Sequence, residues 1–284
     1  MKKNLPVRGI LLVWTLISMT FPTLTGQTFT GLWSDYASGS INGSGTTQTP
    51  YQISSAGDLA WLARQVGEGQ TFENTYFELT GDIDLTGHLW VPIGHGMVPN
   101  NFVPFQGIFN GAGWTISNLR IEGNELPGDY YHTGLFGVVG GGCRIQDLIL
   151  ESPFVQGKDN ENPDCFSLGT AILAGYVYNH TAAGVQFSGC HIKSPTLEKS
   201  TTNSSSLFSG GFIGRTVSTM ASSYITELSD CHIEGGIITG GNSKSSNGTG
   251  GLAGENNGTL KISNSTNSSM VIGGISNQQH TGGL

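Results

Sequence analysis

Charge is scarce in this sequence: 12 Lys and Arg and 20 Asp and Glu among 284 residues, 11% in all. Basic patches are missing altogether, and a net-acidic chain repels phosphate backbones, so nucleic acid is excluded as a partner. Long apolar runs are equally rare. Beyond the first thirty residues no stretch approaches the roughly 20 apolar residues that a membrane-spanning helix needs. Cysteine occurs four times, at Cys143, Cys165, Cys190 and Cys231, with no Cys-x-x-Cys spacing that would point to a metal site. What the chain has instead is glycine, 44 residues of it, with abundant Ser, Thr and Asn and 37% apolar residues. That polar composition alone would suit disorder. The regular placing of the apolar residues argues for a packed core.

The N-terminus reads as a secretory signal. Lys2, Lys3 and Arg8 precede an apolar core over residues 10–21, and residues 22–26 form a small, polar exit. The core is too short to span a membrane, and no cysteine follows it to take a lipid. Cleavage is expected near Gly26–Gln27. The mature chain then carries nine bases against twenty acids, a net charge of −11.

Internal repetition decides the fold class. A Gly-apolar-apolar-Gly unit occurs at 134–137 (GLFG), 211–214 (GFIG) and 251–254 (GLAG), with a degenerate copy at 172–175 (ILAG) and a truncated one at Gly283. A second block follows each copy, starting at Ile145, Phe187, Leu228 and Ile262, and an earlier one starts at Ile116. Its apolar residues fall at positions 1, 4 and 6, as in Phe187, Cys190 and Ile192. A helix would place them at 1, 4, 5 and 8, and a straight strand at 1, 3 and 5. The 1-4-6 rhythm suits strand, bend, strand. The residue before position 4 is Asn118, Asp147, Gly189, Asp230 or Asn264, types that tolerate turn backbone. Each repeat thus gives three short strands: the glycine unit and one on either side of the bend. Stacked about 4.8 Å apart, such repeats form a parallel β-helix. Leu119, Leu148, Cys190 and Cys231 are expected in one interior column. The last block is weaker, with Ser265 and Asn267 at its later positions. An antiparallel all-β domain with glycine-rich turns is the alternative.

Upstream, Ser55 and Asp58 have capping-box spacing, and Leu59, Leu62, Ala63 and Val66 follow at helical intervals before Gly67 and Gly69. A solenoid's first coil exposes an unpaired edge. This helix, over about 55–67, and the strands around residues 76–85 are expected to cover it. The domain reading is a signal peptide over 1–26, an N-terminal cap and first coil over 27–105, and repeats over 106–284. The sequence stops inside a new glycine unit, so it is read as part of a longer protein or as a truncated reading frame.

These glycine units and their following blocks resemble the GLUG repeat of bacterial surface proteins. The lead-in YQISSAGDLAWLARQV, then GDIDLTG, W-x-PIG and F-x-G-x-FNG-x-G-x-TISNL, is similar to the start of such repeats in exported Bacteroidetes proteins. The resemblance runs from Tyr51 to the end of the chain. It implies an all-β fold, a right-handed parallel β-helix at the cell surface that acts as a stalk or adhesive segment. Its partners would be host or bacterial glycans or surface proteins. Related repeats also occur beside the catalytic domain of some immunoglobulin A proteases, but this chain has no His-Glu-x-x-His, and the family supplies no catalytic residues to transfer.

Cys190 and Cys231 fall on adjacent coils, within disulfide range, but stacked side chains in register do not readily reach the required torsion, so buried thiols are expected. His191 and His232 occupy equivalent outward positions. A two-histidine metal site there is conceivable, and solvated polar residues are the usual outcome. Asp82 and Asp84 share a strand face and could bind calcium or serve sugar cleavage, yet neither further oxygens nor a facing carboxylate accompany them. Lys158, Asp159, Glu161 and Asp164 lie in one loop. Tyr130, Tyr131, Tyr176 and Tyr178 could form a sugar-stacking platform. Sequons at Asn42, Asn179, Asn203, Asn247, Asn257, Asn264 and Asn267 are expected by chance. No catalytic, cofactor-binding or metal residue is assigned. The reading is an exported, non-catalytic structural or adhesive segment. The alternative is a polysaccharide lyase or glycoside hydrolase, which rests on fold analogy alone.

Overall fold

The structure is a computed structural model that describes residues 29–97, 101–128, 130–160, 167–198, 200–202, 206–218 and 224–282. The signal segment, Cys165, Glu161, Asp164, Asn203 and the last glycine unit lie outside these residues.

The described residues are all-β, with one α-helix among them and mainly parallel sheets. Each coil contributes in turn to five ladders. Ladder I contains Phe136–Gly140, Ala174–Asn179, Ile213–Ser218 and Ala253–Asn257. Ladder II is the longest, with Tyr51–Ile53, Tyr76–Leu79, Ile108–Asn110, Arg144–Gln146, Val185–Ser188, Ile225–Ser229 and Thr259–Ser263. Ladder III stacks Ile83–Asp84, Thr115–Ser117, Ile149–Glu151, His191–Lys193, His232–Glu234 and Thr266–Asn267. Ladder IV stacks Arg120–Glu122, Phe154–Gln156, Thr196–Glu198, Ile237–Thr239 and Met270–Ile272. Ladder V stacks Ser167–Ala171, Ser206–Gly210, Ser246–Gly250 and Gln278–Gly282. Every neighbouring pair within these ladders is parallel, the arrangement of a β-solenoid. A small antiparallel pair, His95–Met97 with Asn101–Val103, stands outside them.

Three strands per coil is therefore too few. Part of the excess comes from the corners, which recur every five residues in this region. After Ile145 the chain turns at Asp147 and again at Ser152, both with positive φ (51° and 52°). The first corner recurs as Gly189, Asp230 and Asn264 (62°, 53° and 46°), and the second as Asn118, Ser194 and Gly235 (57°, 50° and 65°). Corner amides donate to the coil above: Asp147 N to Ser188 O, Gly189 N to Ser229 O, and Ser152 N to Lys193 O. Asn, Asp, Ser and Gly carry the left-handed backbone at low cost.

The glycine unit is the other correction. Only its first two residues form a corner, joining ladder V to ladder I at Gly211-Phe212 and its equivalents, and its last two begin the ladder I strand, so the unit is half corner and half strand. The four copies superimpose in register: Phe136, Ala174, Ile213 and Ala253 pair in succession. Leu135, Leu173, Phe212 and Leu252 point into the core and are fully buried. Ile172 is also buried at the first position of the degenerate copy, so that position admits a side chain. Glycine at the fourth does not give way so easily. A β-carbon on Gly137, Gly175, Gly214 or Gly254 would lie 2.3–2.8 Å from backbone atoms across the fold.

The interior is a set of columns. Phe77, Phe109, Ile145, Phe187 and Leu228 line ladder II, and Ile116, Leu150, Ile192 and Ile233 line ladder III. Leu148, Cys190 and Cys231 stack at the first corner, where His191 N donates to Leu148 O and His232 N to Cys190 O. Leu119 does not join them. Phe154 N donates to Leu119 O and Thr196 N to Pro153 O, which puts Leu119 in the column of Pro153 and Pro195. The reason is a degeneracy in the pattern: the 3-2 apolar rhythm repeats at each five-residue side, so shifting the Ile116 block by one side leaves it unchanged. The extra residues around Ala112 and Gly113 (φ 50° and 79°) widen the preceding corner and expose Trp114.

Helix α1 spans Ala56–Gly67. Ser55 Oγ accepts from Asp58 N, and the Asp58 carboxylate accepts from Ser54 N, Ser54 Oγ and Ser38 Oγ. Leu59, Leu62, Ala63 and Val66 are buried in the same core as the coil interiors.

Candidate functional site

The solenoid's outward positions are where chemistry is accessible. On ladder II, alternate residues of successive coils fall into line, because side chains alternate along each strand. Gln52, Glu78, Asn110, Gln146, Ser188, Ser229 and Ser263 form one polar row. Tyr76, Ile108, Arg144, Gln186, Glu227 and Lys261 form the row beside it. Asn110 Nδ2 donates to Glu78 Oε2 at 3.1 Å and Gln186 Nε2 to Glu227 Oε2 at 3.4 Å. Lys261 Nζ lies 3.9 Å from Glu227 Oε1. A cleft of about 250 Å³ opens on this face, lined by Tyr76, Glu78, Asn110, Arg144 and Gln146 and flanked by Thr47 and Pro50. Sequence reasoning missed this face. Its signal was the polar residue beside each buried first position, visible only once the register is known.

The candidates read from sequence divide clearly. His191 and His232 are brought together, register partners on ladder III with ring centroids 5.0 Å apart. Asp82 and Asp84 are tied into the coil. Asp82 Oδ1 accepts from Thr115 N, and Asp84 Oδ1 accepts from Thr86 N, Thr86 Oγ1 and Asn118 Nδ2. Burial works to raise the Asp84 pKa, but those hydrogen bonds outweigh it and hold the carboxyl below its usual range. Lys158 Nζ donates to Leu126 O and Pro127 O, and Asp159 is paired with Asn124, so this loop forms structural ties. The tyrosines do not gather. Tyr176 is buried against His132, Tyr178 packs on Phe102, and Tyr130 lies beside His95. Among the sequons, Asn179 and Asn247 are buried.

Cys143, Cys190 and Cys231 are free, buried thiols. The Cys190 thiol lies 3.4 Å from Ser188 O and that of Cys231 3.3 Å from Ser229 O, two residues back in each case. Ser265 repeats the bond to Ser263 O at 2.8 Å, a hydroxyl in the thiol's place. The hydrogen bond with Cys231, together with burial, pushes the Cys190 thiol pKa up, and burial does the same to Cys143.

One cluster had no counterpart in the sequence reading. Arg215 pairs with Glu255, bonds to Ser167 Oγ, and stands 4.9 Å from the Phe208 ring and 5.9 Å from that of Tyr176. His132 is buried beside Tyr176, and burial with the nearby Arg215 charge drives its pKa down to about 3. Neutral His132 accepts at Nδ1 from Gly169 N. The cluster ties ladder V to ladder I. Among the described residues no group of three or more His, Cys, Asp or Glu is placed to hold a metal ion, and no helix is long and apolar enough to cross a membrane.

No family model matches the chain. It is 35% identical over 119 residues to a protein of Evansella cellulosilytica provisionally named a Gly-rich membrane protein, a match covering 40% of this chain and 12% of that protein. It is 33% identical over 144 residues to halomucin of Haloquadratum walsbyi, covering 49% of this chain and 1% of halomucin. The chain thus spans a small part of the curated relatives it matches. A crystal structure provisionally assigned as an immunoglobulin A1 protease of Bacteroides ovatus aligns with a TM-score of 0.42 and 18% identity, over 81% of this chain and 69% of that one.

Proposed function

We propose that this chain is an exported, non-catalytic structural or adhesive segment of a bacterial cell surface, a right-handed β-helix of GLUG-type repeats. In this reading residues 1–26 are a signal peptide, 27–105 a cap with the first coil and α1 as its cover, and 106–284 the repeats. The observation that carries it is the uninterrupted in-register stacking of four glycine corners. A solenoid built this way extends by adding coils and presents its outward rows as a repeating surface. The naming of one relative as a Gly-rich membrane protein supports placement at the cell envelope. Host or bacterial glycans, or surface proteins, would bind along the polar rows of ladder II by many weak contacts.

Protease shaving of intact cells that express the full-length gene tests the placement, and an array of host and bacterial glycans tests adhesion. Release of peptides from the coils and binding reduced by Asn110→Ala with Gln146→Ala are the expected results. Full protection of the coils in intact cells, with digestion after lysis, refutes surface exposure. Turnover of a polysaccharide by the purified chain refutes the non-catalytic reading.

A further inference from the structure

The outward face of ladder III brings two imidazoles to one point. His191 and His232 are direct register partners on adjacent coils, with their ring centroids 5.0 Å apart and planes inclined by 48°. With metal–nitrogen bonds of about 2.0–2.1 Å, two imidazoles bound side by side to one ion, at an angle from about 90° to near-tetrahedral, have centroids about 4.5–5 Å apart. The observed centroid separation matches that value.

The neighbours suit a cation. His232 Nδ1 lies 2.8 Å from Thr266 Oγ1 on the next coil. With the proton on Nδ1, that hydroxyl accepts it, fixes the ring and leaves Nε2 its lone pair, the outer-sphere arrangement common for histidine ligands. Glu234 is two residues beyond His232 and so shares its face. Lys193, its register partner, shares that face by the same spacing from His191, and the Glu234 carboxylate offsets its positive charge. The chain's acidity adds an attractive field for cations.

We infer that His191 and His232 form a surface site for one divalent transition-metal ion, held by two imidazole nitrogens with water completing the shell. Copper(II) is preferred over nickel(II) and zinc(II), in keeping with the general order of affinities for nitrogen sites. The ion bridges two coils, so it stiffens the stack as well as decorating it.

Calorimetric titration of the full chain with copper(II), nickel(II) and zinc(II) salts, each alone, tests this. One ion per chain is expected at this site. His191→Asn and His232→Asn should each weaken copper binding by about tenfold or more, whereas His280→Asn, at an exposed position on ladder V, should leave it unchanged. Circular dichroism of each variant confirms that the coils persist. Copper should raise the melting temperature of the parent and not of the double variant, because an ion that binds only the folded coils stabilises them. Equal affinity in parent and double variant, or copper electron-paramagnetic spectra without nitrogen coupling, would overturn the assignment. In that event the two histidines are solvated surface residues.

Discussion

Gly214 lies so close to Gly175 that a β-carbon built on it would stand 2.5 Å from the Gly175 carbonyl oxygen and equally close to Thr170 N. The two residues are fourth positions of successive glycine corners. Here the chain returning along ladder I passes over the backbone of ladder V, and a methyl group has nowhere to go. Backbone, unlike a flexible side chain, cannot turn aside.

Gly214→Ala is therefore expected to destabilise the coil by about 1–3 kcal/mol, the usual cost of overpacking. Gly81→Ala serves as the control, because nothing lies within 4 Å of its β-carbon and its φ is not left-handed. Urea unfolding followed by circular dichroism compares the two. A Gly214→Ala midpoint equal to that of Gly81→Ala would show that ladders I and V can separate at no cost.

The corner backbone supports a second prediction. Asp230 has φ 53° and its amide donates to Ser263 O. A β-branched residue is poorly tolerated there, so Asp230→Val should lose about 1–2 kcal/mol. Asp230→Gly should lose little, since Gly189 already occupies the equivalent corner one coil earlier. Equal losses in the two variants would mean that the Asp230 carboxylate, which accepts from Asn264 Nδ2, matters more than the backbone.

These two sites also show how much of the fold was legible. The corner residues could be read because Asp147, Gly189, Asp230 and Asn264 differ in chemistry but share tolerance of left-handed backbone. The glycine units could be aligned because their spacing repeats. Their role could not be read: that the fourth glycine abuts another strand's backbone is a long-range fact, and a local pattern reads equally well as strand. Leu119 was misplaced because a five-residue rhythm has no unique origin. Ladder IV was present in Val155, Leu197 and Ile238, but its corner at Ser152 and Ser194 precedes proline and does not resemble the first. The Arg215 cluster joins Ser167, Arg215 and Glu255 across steps of 48 and 40 residues, and no motif marks it.

The thiols give a third prediction. Cys143, Cys190 and Cys231 are at most 1% exposed, and the Cys190 and Cys143 pKa values are raised. The hydrogen bond with Cys190 lowers the Cys231 pKa, so there burial alone keeps the reagent out; since the thiolate is the reactive form, iodoacetamide at pH 8 should leave all three unmodified in the native chain and alkylate them in guanidinium. Peptide mass mapping reads both states. Alkylation of Cys190 under native conditions at the rate of a small free thiol would show that the corner column opens.

The last prediction concerns acid. Burial works to raise the Asp58 pKa, but hydrogen bonds from Ser38, Ser54 and Ser55 outweigh it, so the carboxyl is held below its ordinary range, as at Asp84. A carboxyl with a lowered folded-state pKa favours folding fully above its unfolded value near 3.8, and that contribution disappears as pH falls through the lower folded value. Stability should therefore be flat from pH 7 to about 5 with respect to these groups and decline below about 4. Asp58→Ala weakens the start of α1 at every pH, because it removes the acceptor for Ser54 N and Ser38 Oγ. It also removes one titrating group, so the variant should lose less stability than the parent between pH 5 and pH 3. Melting temperatures measured across that range decide the matter: parallel curves for parent and variant would show that the Asp58 carboxylate is not the group that acid disarms.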